Sequence, residues 1–92
     1  MTVNELNKKA LEILGDRAMI IAMEELAELQ QAISKTLRDQ MNYDNLCEEM
    51  ADVLIIMDWI KEKYNISQHD INYWKMNKQS RIHNRIETGM LK

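Results

Sequence analysis

Glu24-Glu25-Leu26-Ala27-Glu28 and Glu48-Glu49-Met50-Ala51-Asp52 put two acidic clusters about one helical hairpin apart, each inside an otherwise apolar helical stretch. An ionised carboxylate is expensive to bury unless something pairs with it. Too few cations lie nearby in the sequence to neutralise four of them. A divalent ion held by hard oxygen ligands resolves the conflict, with Mg²⁺ or Mn²⁺ favoured. The chemistry this permits is metal-assisted attack of water on a phosphate.

Helical phase selects the carboxylates. On the second predicted helix, Ala18, Ile21, Ala22, Leu29, Ala32 and Ile33 form an apolar stripe; Glu25 falls inside it and Glu28 on its edge. Glu24 points to the polar side with Gln31 and Lys35. On the third, Leu46, Met50, Val53, Leu54, Met57, Ile60 and Tyr64 form the stripe, with Glu49 within it and Asp52 between Ile56 and Trp59. Glu25, Glu28, Glu49 and Asp52 are therefore the carboxylates the pattern drives inward. Each helix offers a pair at i and i+3, which share one face. No histidine stands three residues after Glu25 or Glu49, so the Glu-x-x-His pairs of di-iron bundles are missing. His69 reads as a first-turn residue and His83 as an exposed one.

The elements that must position these groups are four helices. Thr2 and Glu5 form a capping-box pattern at the start of the first, about Val3–Leu14. Gly15 breaks it, and the second runs about Asp16–Arg38. A turn at Asn42-Tyr43-Asp44 leads into the third, about Tyr43–Tyr64. Asn65 closes that one, and Ser67 with Asp70 opens the fourth, which ends near Glu87 ahead of Gly89. On the fourth helix Ile71, Trp74, Ile82 and Ile86 predict an inward face. Lys75, Lys78 and Arg85 share that face and Arg81 borders it. Facing the carboxylates, these cations could hold a polyphosphate that arrives with the metal.

Composition agrees with an all-α, four-helix-bundle-type single domain over residues 1–92, with its core at about 16–86. The chain is 46% hydrophobic and 29% charged, with two glycines and no proline. Residues 1–70 carry 7 Lys/Arg against 14 Asp/Glu, whereas residues 71–92 carry 5 against 1, an acidic body joined to a basic end. The acidic total argues against general nucleic-acid binding. No apolar run is long enough to span a bilayer, no signal peptide is visible, and one cysteine, Cys47, permits no internal disulfide. A cytoplasmic protein with no membrane partner is expected. Ile55, Ile56 and Trp59 make the third helix apolar on a second side, which predicts self-association through helical faces into a homodimer or homotetramer.

The signature Glu24-Glu25-Leu26-Ala27-Glu28, twenty residues, then Glu49-Met50-Ala51-Asp52 resembles the EExxE…ExxD motif of the MazG-like, all-α nucleoside triphosphate pyrophosphohydrolases. The segment from Lys78 to Ile86 resembles the basic helix of small members, and the likeness covers about residues 16–86. The resemblance implies an enzyme that cleaves an NTP or dNTP between the α and β phosphates, releasing nucleoside monophosphate and pyrophosphate. It implies Mg²⁺, with Glu25, Glu28, Glu49 and Asp52 as ligands. Lys78, Arg81 and Arg85, with Lys75, would meet the triphosphate. Trp59 and Trp74 are candidates for the border of a base pocket, though each reads first as a core or interface residue. Two other readings fit the same residues: a non-enzymatic dimeric helical interaction or regulatory protein, and a silent binder of nucleotide or metal.

Overall fold

The computed structural model describes residues 1–91. It has four helices and, among the described residues, no strand: α1 Val3–Leu14, α2 Arg17–Leu37, α3 Tyr43–Tyr64 and α4 Gln68–Glu87. The expected all-helical single domain is what forms.

The boundaries follow from local chemistry. Thr2 Oγ1 accepts from the Glu5 amide at 3.1 Å, satisfying a donor that the first turn of α1 leaves free. Gly15, at φ 57 and ψ −134, takes a backbone conformation that a side chain would resist, and breaks the path into α2. At the far end of α2, Asp39 (φ 59) adopts the left-handed cap while the Gln40 amide reaches back to Lys35 O at 2.8 Å. Asn42 then caps α3 by accepting from the Asn45 amide at 3.0 Å. The link between α2 and α3 is therefore short, and the two pack as a hairpin.

α2 and α3 form the main packing seam, with α1 laid across them chiefly on α3. Among the described residues the buried ones are small: Ala18, Ala22 and Ala32 on α2, with Ile56 the one larger side chain. Alanines let the two backbones approach closely, and burying Ile56 contributes about 1.5–3 kcal/mol. Trp59 is half-buried and ties α3 to α1, its Nε1 donating to Asn7 Oδ1 at 3.2 Å.

Two expected faces come out differently. The seam of α3 runs along Asn45, Glu49, Asp52 and Ile56 with Val53 and Ile60, while Met50, Leu54 and Met57 of the predicted stripe are exposed, Leu54 to 68%. The seam is centred on the side that carries the carboxylates. The second correction concerns α4, which packs on none of the other three helices. Its predicted inward residues Trp74, Ile82 and Ile86 are exposed and Ile71 is half-buried. Asn65 explains the departure: at φ 54 and ψ 46 it ends α3 in a left-handed turn, with the Ile66 amide on Lys61 O at 2.9 Å. Ser67 then starts α4 by accepting from the Asp70 amide at 3.1 Å.

Candidate metal centre

The α2–α3 hairpin brings the four predicted carboxylates together. Glu25 and Glu28 come from consecutive turns of α2, and Glu49 and Asp52 from consecutive turns of α3. One oxygen from each can be chosen so that all four lie within 4.8 Å of one another. Glu25, Glu49 and Asp52 are half-buried and Glu28 is exposed, so the cluster opens to solvent on the Glu28 side.

Its electrostatics are unrelieved. Among the described residues, every ion pair lies elsewhere, so no Lys, Arg or His neutralises these acids. Desolvation, reinforced by the negative charges of Glu28, Asp52 and Glu49, pushes the Glu25 carboxyl from 4.5 to about 7. The same causes, burial first and then Glu28 and Asp52, raise Glu49. Glu49 Oε1 has a long contact of 3.5 Å from Asn45 Nδ2, but Glu49 Oε2 and Glu25 Oε2 are buried with no hydrogen-bond partner. Two orphaned acceptors facing two further carboxylates match what a hard divalent cation needs. The donor set is all oxygen, with no sulfur or imidazole to favour zinc or iron.

Asn45 is the neighbour that the spacing of acidic residues alone does not single out. It stands four residues before Glu49, one turn away on the same face, and that register is its signal in the sequence. It also lines a cavity of about 380 Å³ together with Ala32, Lys35, Gln40 and Asn42. Ala32 follows Glu28 by one turn, so the cavity lies one turn from the cluster, towards the loop that closes the hairpin. Its volume lies in the range of small-molecule sites, and Lys35 brings it a cation. A second cavity, about 430 Å³, lies among Val3, Asn7, Asp58, Lys61 and Asn65 and contains none of the four carboxylates.

The other predicted residues lie apart from this centre. Lys75, Lys78, Arg81 and Arg85 are exposed on α4 and do not meet the carboxylates of their own chain. Trp74 is exposed against the edge of Tyr73, with ring centroids 5.5 Å apart. Trp59 is engaged with α1 through Asn7. His69 lies in the first turn of α4 and His83 is exposed, as the sequence suggests. Cys47 is exposed and unpaired. Among the described residues no helix is long and apolar enough to cross a membrane. No known protein family, curated protein or solved structure matches the chain.

Proposed function

We propose that this chain is a cytoplasmic, Mg²⁺-dependent nucleoside triphosphate pyrophosphohydrolase of the MazG-like kind, with Mn²⁺ able to substitute. It would cleave a (d)NTP at the α–β link to (d)NMP and pyrophosphate and work as a homo-oligomer. The observation that carries the metal half of this reading is the convergence of Glu25, Glu28, Glu49 and Asp52 with two buried, partnerless oxygens. The acidic signature, and the likeness it bears to that family, supplies the substrate class.

Glu25, Glu49 and Asp52 form the recessed part of the ligand set, with Glu28 at the mouth. When bound, the ion supplies positive charge for phosphate oxygens and acidifies water. Glu28, being exposed, is the carboxylate able to turn towards the attacking water and accept its proton as the oxygen bonds to phosphorus. The α–β phosphoanhydride bond breaks in the same displacement, and the pyrophosphate takes the electron pair. Asn45 orients Glu49, and the cavity beside it offers amide groups and Lys35 to the rest of the nucleotide. Lys75, Lys78, Arg81 and Arg85, which the resemblance assigns to the triphosphate, lie on α4 away from the carboxylates of their own chain. In this reading they would take up charge on the departing pyrophosphate only where α4 reaches a bound substrate.

The test is pyrophosphate release from a panel of NTPs and dNTPs, in Mg²⁺, in Mn²⁺ and in EDTA, with Glu49→Gln alongside. The expected outcome is metal-dependent release of monophosphate and pyrophosphate, reduced at least about a hundredfold in the variant. Release of single phosphates would reject the α–β cleavage position, and no turnover on any nucleotide would reject the enzyme.

A further inference from the structure

α4 is an arm. It is 20 residues long, packs on no other helix, and leaves α3 through the left-handed turn at Asn65. Trp74, Lys78, Arg81 and Arg85, spaced by four, three and four residues, stand in one column within about 60° of arc. Ile71, Ile82 and Ile86 form a second column beside it, with Lys75 among them. The acids of α4, Asp70 and Glu87, lie outside both columns. All four cations are exposed, and among the described residues none is in an ion pair. Trp74 is 57% exposed, with its ring set by an edge contact with Tyr73.

The charge pattern selects what such an arm meets. Lys75, Lys78, Arg81 and Arg85 step about 4.5, 4.5 and 6 Å along the axis, a linear run of positive charge about 15 Å long. A linear polyanion matches that run. An anionic bilayer fits poorly, because an interfacial helix needs a broad apolar face bordered by cations. Here three isoleucines share their column with Lys75, and the neighbours on their other side are uncharged Asn72 and Gln79. A duplex fits poorly too, since a helix in its groove lies between two phosphate rows and α4 turns cations towards one. A single strand needs one row of cations for its phosphates and an aromatic face for its bases, and the first column supplies both.

The rest of the chain repels the same ligand, with a net charge of −7 over residues 1–70. Distance along the arm relieves this. Counted from Gln68, the first residue of α4, Lys75 to Arg85 stand about 10 to 25 Å along the axis. That is at or beyond the screening length of about 10 Å in 0.1 M salt. We infer that α4 is an arm that binds single-stranded nucleic acid, with Lys75, Lys78, Arg81 and Arg85 on the phosphates and Trp74 stacked on a base. Such binding needs neither a metal nor the carboxylate cluster, and so stands apart from the enzymatic reading.

The experiment follows the anisotropy of a short fluorescein-labelled oligothymidylate as full-length chain is added, in EDTA, across a salt series. Saturable binding is expected, with log affinity falling by about 2 to 3 per decade of salt as three or four phosphates are neutralised. Arg81→Glu with Arg85→Glu should weaken binding at least about tenfold and flatten that slope by more than about 1. Arg81→Lys with Arg85→Lys should keep both, because a phosphate row reads charge before shape. Trp74→Ala should weaken binding about fivefold or more with the slope unchanged. Circular dichroism should show each variant folded, since these side chains lie on a helix that packs on no other. No binding at low salt, or binding indifferent to the charge reversal, would overturn the inference. A Trp74→Ala chain that binds like wild type would overturn it too, leaving a plain polyanion contact. So would tighter binding to a duplex of the same length, or uptake by phosphatidylserine vesicles without binding to the strand.

Discussion

Glu25 and Glu49 each keep one oxygen buried and unpartnered, and the consequence is a stability that runs against the usual sense for an acid. A carboxyl whose folded pKa exceeds its unfolded value is protonated in the folded chain where the unfolded chain is already ionised. For Glu25, raised from 4.5 to about 7, the metal-free protein holds its full stability below about pH 4.5. That contribution drains away as pH rises to about 7, and nothing more is lost from this group above it. The group is half-buried, so solvent screening trims the size of the effect and leaves its direction. Thermal melts in EDTA should therefore show Tm falling between pH 5 and pH 7.5. Mg²⁺ should reverse the fall, because it competes with the proton for the same oxygens. At about a hundred times its Kd, a bound ion adds about 2.7 kcal/mol, worth roughly ten degrees or more of Tm in a chain of this size. That gain should be large at pH 7.5 and small at pH 5; equal gains at both, or none, would show that the cluster is not the binding site. Glu49→Gln tests the same point from the other side. Removing a repelling charge should leave the metal-free Tm unchanged or a few degrees higher, whereas a fall would mean Glu49 is held by a cation.

Among the elements, the α2–α3 seam determines how close the carboxylates come, and its alanines make that distance possible. Ala18 is wholly inaccessible, so Ala18→Leu should overpack the seam and cost about 1–3 kcal/mol in urea unfolding. Exposed Ala27 on the same helix provides the control: Ala27→Leu should stay within about 0.5 kcal/mol. Equal costs would mean that the helices do not approach along this side. The four helices and their caps are legible in the sequence because each boundary carries its own chemistry, as at Thr2, Gly15, Asn65, Ser67 and Gly89. The four carboxylates are legible because i and i+3 spacing fixes a face whatever the tertiary contacts are. The buried side of α3 is not. Met50, Leu54 and Met57 outweigh Ile56 in apolar content, and periodicity cannot distinguish a face that meets its own chain from one that meets another. The same ambiguity hides the course of α4, whose path depends on one left-handed residue, Asn65, and not on its amphipathic pattern.

At the scale of the whole molecule, the apolar residues the chain leaves in water outnumber and outsize those it buries. Four apolar residues are buried, three of them alanine, while Leu26, Ile33 and Leu37 on α2 and Met50, Leu54 and Met57 on α3 are exposed. Within each set the spacing of three, four, seven or eleven residues keeps the side chains in one row. Both rows are displaced from the seam in the same rotational sense, so in an antiparallel hairpin they emerge on one side of it. The carboxylate mouth, displaced the other way, opens on the opposite side. A second copy presenting the same rows would bury them symmetrically and leave the mouth open. In the proposed homo-oligomer those rows would be the contact, and the carboxylate mouth would lie away from it. Leu54→Glu separates the alternatives, since Leu54 is 68% exposed and a lone chain should tolerate the change to within about 0.5 kcal/mol. In an assembly, the substitution puts an unpaired charge into the apolar contact. Light scattering should then show the mass falling by a factor of two or more, and Tm should lose its dependence on protein concentration. A mass unchanged from wild type would show that this face stays in solvent and that self-association does not run through it.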